Sequence, residues 1–246
     1  MLTAQDITVA KRLHGVTASL EPGAITAICG PNGAGKSSLL QVLAGLLPPD
    51  SGEVRLEGAA LAAMRPVERA RSIGYLPQAA EVAWDVPARS LVALGRMPHG
   101  DQAAAPVEAA LAATDCAHLA ERRVLTLSGG ERARVLLARV LAGEPRWILA
   151  DEPLAALDLR HQHALLRHLR ACAGAGVGVV LVLHDLTAAM NHADRVVVLD
   201  RGRVAADGSP EQALAAEVVA RVWQVEARWI GEPGAWALVN CQTRLP

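Results

Sequence analysis

The hydrophobic positions of this chain fall into two patterns that alternate along most of its length. Short apolar runs at 24–29, 146–150 and 177–183 are typical of strands, and the last run is continuous enough for a strand buried on both faces of a sheet. Apolar residues at helical spacing follow the first run, within 36–43. This alternation predicts an α/β fold.

Two segments depart from the alternation. Residues 2–29 consist of strand-like pieces and turns, and together with the alternating segment 53–58 they predict a β-rich N-terminal part. Residues 85–143 are rich in alanine and predict helices, with breaks expected at 98–100 and at Pro106. We therefore expect a helical subdomain inserted into the α/β core.

Composition limits the classes of function that the chain can serve. It has 246 residues, 52% of them hydrophobic, and a formal net charge of −1, so it offers no overall basic field to nucleic acid or to an anionic membrane. The longest apolar run is too short to span a bilayer, and the first six residues do not predict a signal peptide. Four cysteines, at 29, 116, 172 and 241, lack C-x-x-C spacing, which suits reduced thiols of a cytosolic protein. Any membrane role is expected to be peripheral.

The strand at 24–29 leads into a glycine-rich loop, Gly30-Pro31-Asn32-Gly33-Ala34-Gly35-Lys36-Ser37, which meets the spacing G-x-x-x-x-G-K-S in full. Its glycines let backbone N–H groups turn toward an anion, and the helix that begins near Lys36 adds its positive end. Lys36 is expected to reach the β- and γ-phosphates of a nucleotide, and the Ser37 hydroxyl to contact Mg²⁺. A plain glycine turn is the weaker alternative, because both flanking elements fit the motif.

Polar residues also follow other predicted strands. Asp151 and Glu152 end the run 146–150, where phosphate-loop enzymes carry a magnesium carboxylate, so Asp151 is predicted to bind metal and Glu152 to polarise water. Gln78 and His184 also stand at strand ends, the edge at which α/β proteins bind ligands. For each of these residues, an ordinary polar strand end is the alternative.

A second helix start with bare backbone amides follows the segment Leu127-Ser128-Gly129-Gly130-Glu131. The helix is predicted over 132–141, and its first turn is a further potential anion site. Taken alone, an ordinary serine N-cap explains this segment better.

Other polar clusters predict no site. His161 and His163 point to opposite sides of a helix, so with His168 they cannot converge on one metal ion. The arginines between 65 and 71 have no interleaved aromatic residues, which favours a solvated face over nucleic-acid binding.

Taken together, these motifs resemble the nucleotide-binding subunit of an ATP-binding-cassette (ABC) transporter, and the resemblance covers nearly the whole chain. The Leu-Ser-Gly-Gly-Glu segment is the most diagnostic part, because it separates this family from other phosphate-loop ATPases. The resemblance implies an α/β, RecA-like phosphate-loop core with an N-terminal antiparallel β subdomain and an inserted α-helical subdomain. A single ABC ATPase domain is expected, with residues 1–79 and 144–246 in the β part, core and tail, and 80–143 in the helical subdomain.

The resemblance also implies ATP and Mg²⁺ as cofactors, held between the two copies of a head-to-tail homodimer. The nucleotide-binding residues would be Gly30, Pro31, Asn32, Gly33, Ala34, Gly35, Lys36, Ser37 and Ser38, with Asp158 in a loop that crosses the interface and Ser128, Gly129 and Gly130 acting on the partner's nucleotide. The catalytic residues would be Glu152 as general base, His184 at the γ-phosphate, Gln78 and Lys36. The metal ligands would be Ser37, Gln78 and Asp151.

Finer features, at 71–78, 91–96 and 157–162, resemble importers of iron-siderophores, haem and cobalamin. They imply an ATPase that drives uptake through a separate membrane permease, expected to dock at 84–96, on the cytoplasmic face of the membrane. A substrate-binding protein would be an indirect partner, and nucleic acid would not be one. A cassette with a non-transport role and the detached cassette of an exporter stay open as alternatives.

Three positions depart from the family pattern. The segment 9–23 lacks the aromatic residue on which adenine commonly stacks, and Arg12 or His14 could substitute for it. Ala155 stands where serine is frequent, which removes a possible hydroxyl contact at the interface. Ser38 replaces a frequent threonine, a mild change.

Overall fold

The computed structural model describes residues 1–78, 85–155 and 157–240. Trp84, at the start of the expected permease-docking segment, and Cys241 lie outside the described residues. In chain order the strands are β1 (Leu2–Val9), β2 (Leu13–Leu20), β3 (Ile25–Cys29), β4 (Ser51–Leu56), β5 (Ala59–Ala60), β6 (Ile73–Leu76), β7 (Trp147–Asp151), β8 (Gly178–Val182), β9 (Arg195–Asp200), β10 (Arg203–Gly208), β11 (Ala227–Ile230) and β12 (Ala237–Asn240). The α-helices are α1 (Lys36–Leu43), α2 (Pro66–Ser72), α3 (Ala88–Ala93), α4 (Ala104–Ala113), α5 (Gly129–Ala142), α6 (Leu159–Gly174), α7 (Leu186–His192), α8 (Pro210–Ala213) and α9 (Ala216–Trp223).

A six-stranded sheet of order β10-β9-β3-β8-β7-β6 forms the centre of the molecule. Its strands are parallel except for β10, which pairs antiparallel with β9. Every residue of β3, β7 and β8 is buried, because helices cover both faces of the sheet. The continuous apolar runs in the sequence therefore predict these strands correctly, and their carboxyl ends meet at one edge.

The N-terminal part forms a separate antiparallel sheet of order β2-β1-β4-β5. Leu2 pairs with Leu20 on one side and with Leu56 on the other, and all three side chains are buried against α1 and the central sheet. The predicted β-rich entry is confirmed.

Helices α3, α4 and α5 follow one another between β6 and β7 and pack together around buried residues such as Leu111 and Leu137. Two boundaries differ from expectation. Pro106 does not break the helix but lies in the first turn of α4, where its missing N–H would have had no helical partner. Helix α5 begins at Gly129 and not at Arg132, because Ser128 caps it directly.

The chain beyond β10 folds back on the core. Trp229 donates from Nε1 to the Leu214 carbonyl (2.7 Å), and Asn191 exchanges two hydrogen bonds with the backbone of Trp236 (2.7 and 2.8 Å). With Trp223 packed against the same core, these tryptophans are packing residues as predicted. Among the described residues, no helix combines the length and the apolar composition that a bilayer span requires.

Candidate active site

The glycine-rich loop joins β3 to α1 in the conformation that its glycines permit. Gly30 and Gly35 have φ angles of 151° and 100°, in a region that favours glycine. A Cβ on Gly30 would lie 2.2 Å from the Leu199 carbonyl oxygen, and one on Gly35 would lie 2.7 Å from the Arg12 carbonyl oxygen. Neither position accommodates another residue, so the loop path depends on both glycines.

Lys36 lies inside the curve of this loop. Its side chain is buried, and Nζ donates to the carbonyl oxygens of Gly30 (2.9 Å) and Pro31 (3.0 Å). Burial lowers the pKa of Lys36, and the nearby carboxylates of Glu152 and Asp151 act in the opposite direction. The loop thus holds a cation among backbone groups that can turn to an anion.

Asp151 ends β7 beside the start of α1. It is 4% exposed, and its Oδ1 has no hydrogen-bond partner among the described residues. Burial raises the pKa of Asp151, while the Ser37 hydroxyl beside it acts in the opposite direction. A buried unpaired carboxylate oxygen next to a hydroxyl fits the oxygen ligands that Mg²⁺ prefers.

Glu152 lies one residue further along and connects the ends of two other strands. Its Oε2 accepts a hydrogen bond from Gln78 Nε2 (2.7 Å), and its Oε1 contacts His184 Nε2. Glu152 has a φ of 51°, an uncommon conformation for a residue with a side chain and one that is frequent at functional sites. The structure therefore brings together the three residues predicted at the ends of β6, β7 and β8.

A cavity of about 710 Å³ lies between the glycine-rich loop and the three residues at the strand ends. Its described lining consists of Lys11, Arg12, the loop residues Asn32, Gly33, Ala34, Gly35, Lys36, Ser37 and Ser38, and Gln78, Glu152 and His184. Three cationic residues, Lys11, Arg12 and Lys36, line it together with the start of α1, so the cavity suits a polyanion, and its volume suits a small-molecule ligand.

Residues near the β1–β2 turn complete this cavity. Lys11 adopts a φ of 62° in the turn and lies beside Arg12. His14, the other candidate for contact with a base, is not among the described lining residues and lies close to Gly202. Sequence reasoning missed Lys11, because only the return of β2 alongside the loop brings this turn to the cavity.

The Leu-Ser-Gly-Gly-Glu segment at 127–131, here called the signature segment, lies apart from this cavity. Ser128 and Glu131 form a capping box: Ser128 Oγ accepts from the Glu131 backbone N–H (3.3 Å), and Glu131 Oε2 accepts from the Ser128 backbone N–H (2.8 Å). None of Ser128, Gly129 and Gly130 is among the described lining residues. The second predicted anion site is thus not joined to the first within one chain.

Asp158 is also outside the cavity, at the N-cap of α6. Its side chain is 67% exposed, and Oδ1 accepts from the His161 backbone N–H (2.9 Å). This hydrogen bond lowers the pKa of Asp158. The predicted interface residue is therefore accessible to a second molecule.

Comparison with known proteins places these motifs in one family. The family model described as ABC transporter matches residues 13–155. The hemin import ATP-binding protein HmuV of Myxococcus xanthus (strain DK1622) is 47% identical over 231 residues, covering 88% of this chain and 86% of the relative. The protein of the same name from Nocardia farcinica (strain IFM 10152) is 48% identical over 229 residues, covering 90% of this chain and 78% of the relative.

A solved structure supports the same assignment. The dimeric post-hydrolysis state of an ATP-binding cassette bound to ADP and Pi matches with a TM-score of 0.75 and 25% identity, covering 85% of this chain and 99% of that one. The predicted phosphate-loop cassette fold is thus confirmed.

Proposed function

The chain belongs to the ABC transporter family and is an ATPase of that family, and on this premise we propose that it energises import of haem or a related iron complex through a separate membrane permease. The names of its relatives support haem over siderophore or cobalamin as the cargo. A membrane-associated, peripheral position follows from docking to the permease.

In the proposed reaction, the cavity binds ATP with its phosphates on the loop. Lys36 and the α1 amides stabilise the negative charge that develops on the γ-phosphate. Mg²⁺ would be held by Ser37 and Asp151, with Gln78 near it, and would supply positive charge that neutralises the phosphates. The unpaired Oδ1 of Asp151 supports this assignment.

The contacts of Glu152 carry the catalytic proposal. Its carboxylate is held between Gln78 and His184 at the mouth of the phosphate cavity, where it accepts a proton from attacking water. His184 then lies beside the γ-phosphate.

The proposed active unit is a head-to-tail homodimer. The signature residues Ser128, Gly129 and Gly130 would close on the nucleotide of the partner, and Asp158 would lie in the interface. Their position outside their own chain's cavity supports this arrangement. Residues 80–143 would act as the signature subdomain and residues 1–79 and 144–246 as the core.

Adenine would stack on Arg12, whose guanidinium is planar and weakly hydrated. Arg12 is exposed at the cavity edge. We expect Arg12→Ala to weaken ATP binding by about three- to tenfold, as the loss of one cation–π contact would. Fluorescent-nucleotide titration checks this value, and unchanged affinity would remove Arg12 from the site.

The test of the proposed chemistry is Glu152→Gln. Gln keeps the shape of the side chain but cannot accept a proton, so the variant should bind ATP and lose steady-state hydrolysis by about 100-fold or more. Glu232→Gln, in an exposed turn, serves as the matched control. Undiminished hydrolysis by Glu152→Gln would overturn the assignment of the base.

The cargo is tested in cells that lack the gene. Growth on hemin as the iron source should return with the wild-type chain and not with Glu152→Gln. Siderophore-bound iron and cobalamin are the comparison substrates, and rescue of uptake for either of them without rescue for hemin would replace the proposed cargo.

A further inference from the structure

Residues 153–155, 157 and 158, here called the segment, lie between Glu152 and α6 and are held by two residues of the first turns of α6. His161 and Gln162, here called the α6 pair, are not among the residues to which the site assigns a role. Both direct their side chains back toward the segment that precedes the helix.

Gln162 binds the backbone of this segment at two points. Its Nε2 donates to the carbonyl oxygens of Leu154 and Leu157, at 3.1 Å in each case. The amide carries two N–H groups, so each carbonyl can receive one. Both bonds are partly buried, and their loss would be costly because the Leu157 carbonyl would lose this partner and the Leu154 carbonyl would keep only the Leu157 N–H (3.1 Å).

His161 binds the other end of the segment. Its Nδ1 lies 2.7 Å from Asp158 Oδ1, the same oxygen that accepts from the His161 backbone N–H. The ring is 22% exposed, against 67% for the Asp158 side chain, so the better-packed residue fixes the more exposed one. Together the pair fixes one carboxylate and two carbonyl groups.

The segment connects two parts of the proposed machinery. At one end Glu152 adopts its positive φ, and its carbonyl oxygen accepts from the Ala155 N–H (3.2 Å). At the other end Asp158 caps α6 and reaches outward. Fixing described residues at both ends of the segment can link the position of an interface residue to that of a catalytic one, because a misplacement of about 1 Å can lower a reaction rate about 100-fold.

We infer that His161 and Gln162 are positioning residues that fix Asp158 and the Leu154 and Leu157 carbonyls, and thereby set Glu152 for hydrolysis when two copies meet. The inference rests on the proposed roles of Glu152 and Asp158. It predicts that loss of either side chain lowers turnover without lowering ATP affinity, because neither residue is among the described residues that line the nucleotide cavity.

The test compares four variants of the full chain by steady-state ATPase activity and by ATP binding. Gln162→Met keeps the length of the side chain without its N–H groups, and His161→Ala removes the ring. We expect kcat to fall by about 10- to 100-fold in both, with KM for ATP within about twofold. His161→Asn can place a donor near the Nδ1 position and should recover most of the rate.

The matched control is His163→Ala, an exposed residue on the same helix that makes no hydrogen bond to the described residues of the segment and should leave kcat unchanged. Thermal unfolding of each variant verifies a cooperative native state. Unchanged kcat in either Gln162→Met or His161→Ala, or a fall in kcat matched by an equal loss of ATP affinity, would overturn the inference. Hydrolysis by Glu152→Gln would instead overturn the proposed function, so the two failures are distinguishable.

Discussion

Helices α1 and α5 both begin with glycine-rich segments, yet their N-termini differ in how the first backbone N–H groups are used. Helix α1 starts after Gly35, which makes no side-chain cap. Helix α5 starts after Ser128, and the capping box with Glu131 binds one amide at each end of the turn. Arg122 Nη1 lies 3.0 Å from Glu131 Oε1 and adds a further contact.

The difference indicates which end can bind an anion without rearrangement. The first amides of α1 face a cavity with cationic side chains, so phosphate adds partners that the chain itself does not provide. At α5, a carboxylate of the same chain already lies at the positive end of the helix. A phosphate that approaches α5 must compete with Glu131, which agrees with the proposal that α5 acts on a nucleotide already held by the partner copy.

The largest expected effect comes from Lys36→Ala, which removes the cation from the α1 site. Charge-assisted contacts to phosphate are among the strongest hydrogen bonds, so we expect ATP affinity to fall by about 100-fold, or about 2.7 kcal/mol. Equilibrium titration of the monomer with a fluorescent nucleotide measures this. Ser128→Ala is the matched control and should bind nucleotide normally as a monomer; equal weakening in both variants would break the distinction between the two ends.

A second substitution, Gly129→Asp, separates folding from function at α5. A Cβ at Gly129 would have nothing within 4 Å, and an acidic residue in the first turn favours the helix, so stability should be kept or raised. The added charge would repel the nucleotide of the partner and should lower ATPase activity by about 100-fold. Thermal unfolding and steady-state hydrolysis are both needed, and normal hydrolysis by this variant would place the signature segment outside the reaction.

The buried carboxylate of Asp151, beside the start of α1, is expected to lower the stability of the fold when no cation is bound. The pKa of Asp151 is raised by burial, so its ionised form destabilises the fold as pH rises above 3.8, and the destabilisation is complete above the raised pKa. Asp151→Asn should therefore raise the Tm at pH 7 in EDTA by about 2–4 °C, for about 1 kcal/mol, while hydrolysis is lost. The gain should shrink toward pH 4, and a lower Tm at pH 7 would contradict it.

The starts of α1 and α5 are both features that local sequence patterns can predict. The loop from Gly30 to Ser37 is predicted in full because one strand, one turn and one helix define it. The capping box is within reach of the same rules, since Ser128 and Glu131 have the Ser-x-x-Glu spacing. The apolar periodicity starts α5 at Arg132, whereas the cap at Ser128 starts it at Gly129, three residues earlier.

Contacts made by tertiary structure are harder to predict. In the sequence, Gln162 is one polar residue of an amphipathic helix. Its hydrogen bonds to the Leu154 and Leu157 carbonyls cannot be predicted, because the residues before the helix have no periodic pattern. Lys11 joins the cavity only through the pairing of β1 with β2. The convergence of Gln78, Glu152 and His184 follows from a parallel sheet, but their hydrogen bonds do not follow from strand order alone.

The smallest effect is expected from Glu131→Gln, which changes the capping box that distinguishes α5 from α1. The Ser128 backbone N–H, with the Ser128 hydroxyl and Arg122, lowers the pKa of Glu131 below its ordinary value of 4.5. Its ionised form therefore stabilises the fold above that value, and this contribution is lost as pH falls through the lowered pKa. Glu131→Gln keeps an acceptor for the Ser128 N–H but not the charge, so the Tm at pH 7 should fall by less than Asp151→Asn raises it. A plot of Tm against pH between pH 3 and 7 should be flatter for the variant than for the wild type, since the substitution removes one titrating group. Equal slopes would mean that Glu131 does not occupy the helix end in solution, and that α5 is as open to an anion as α1.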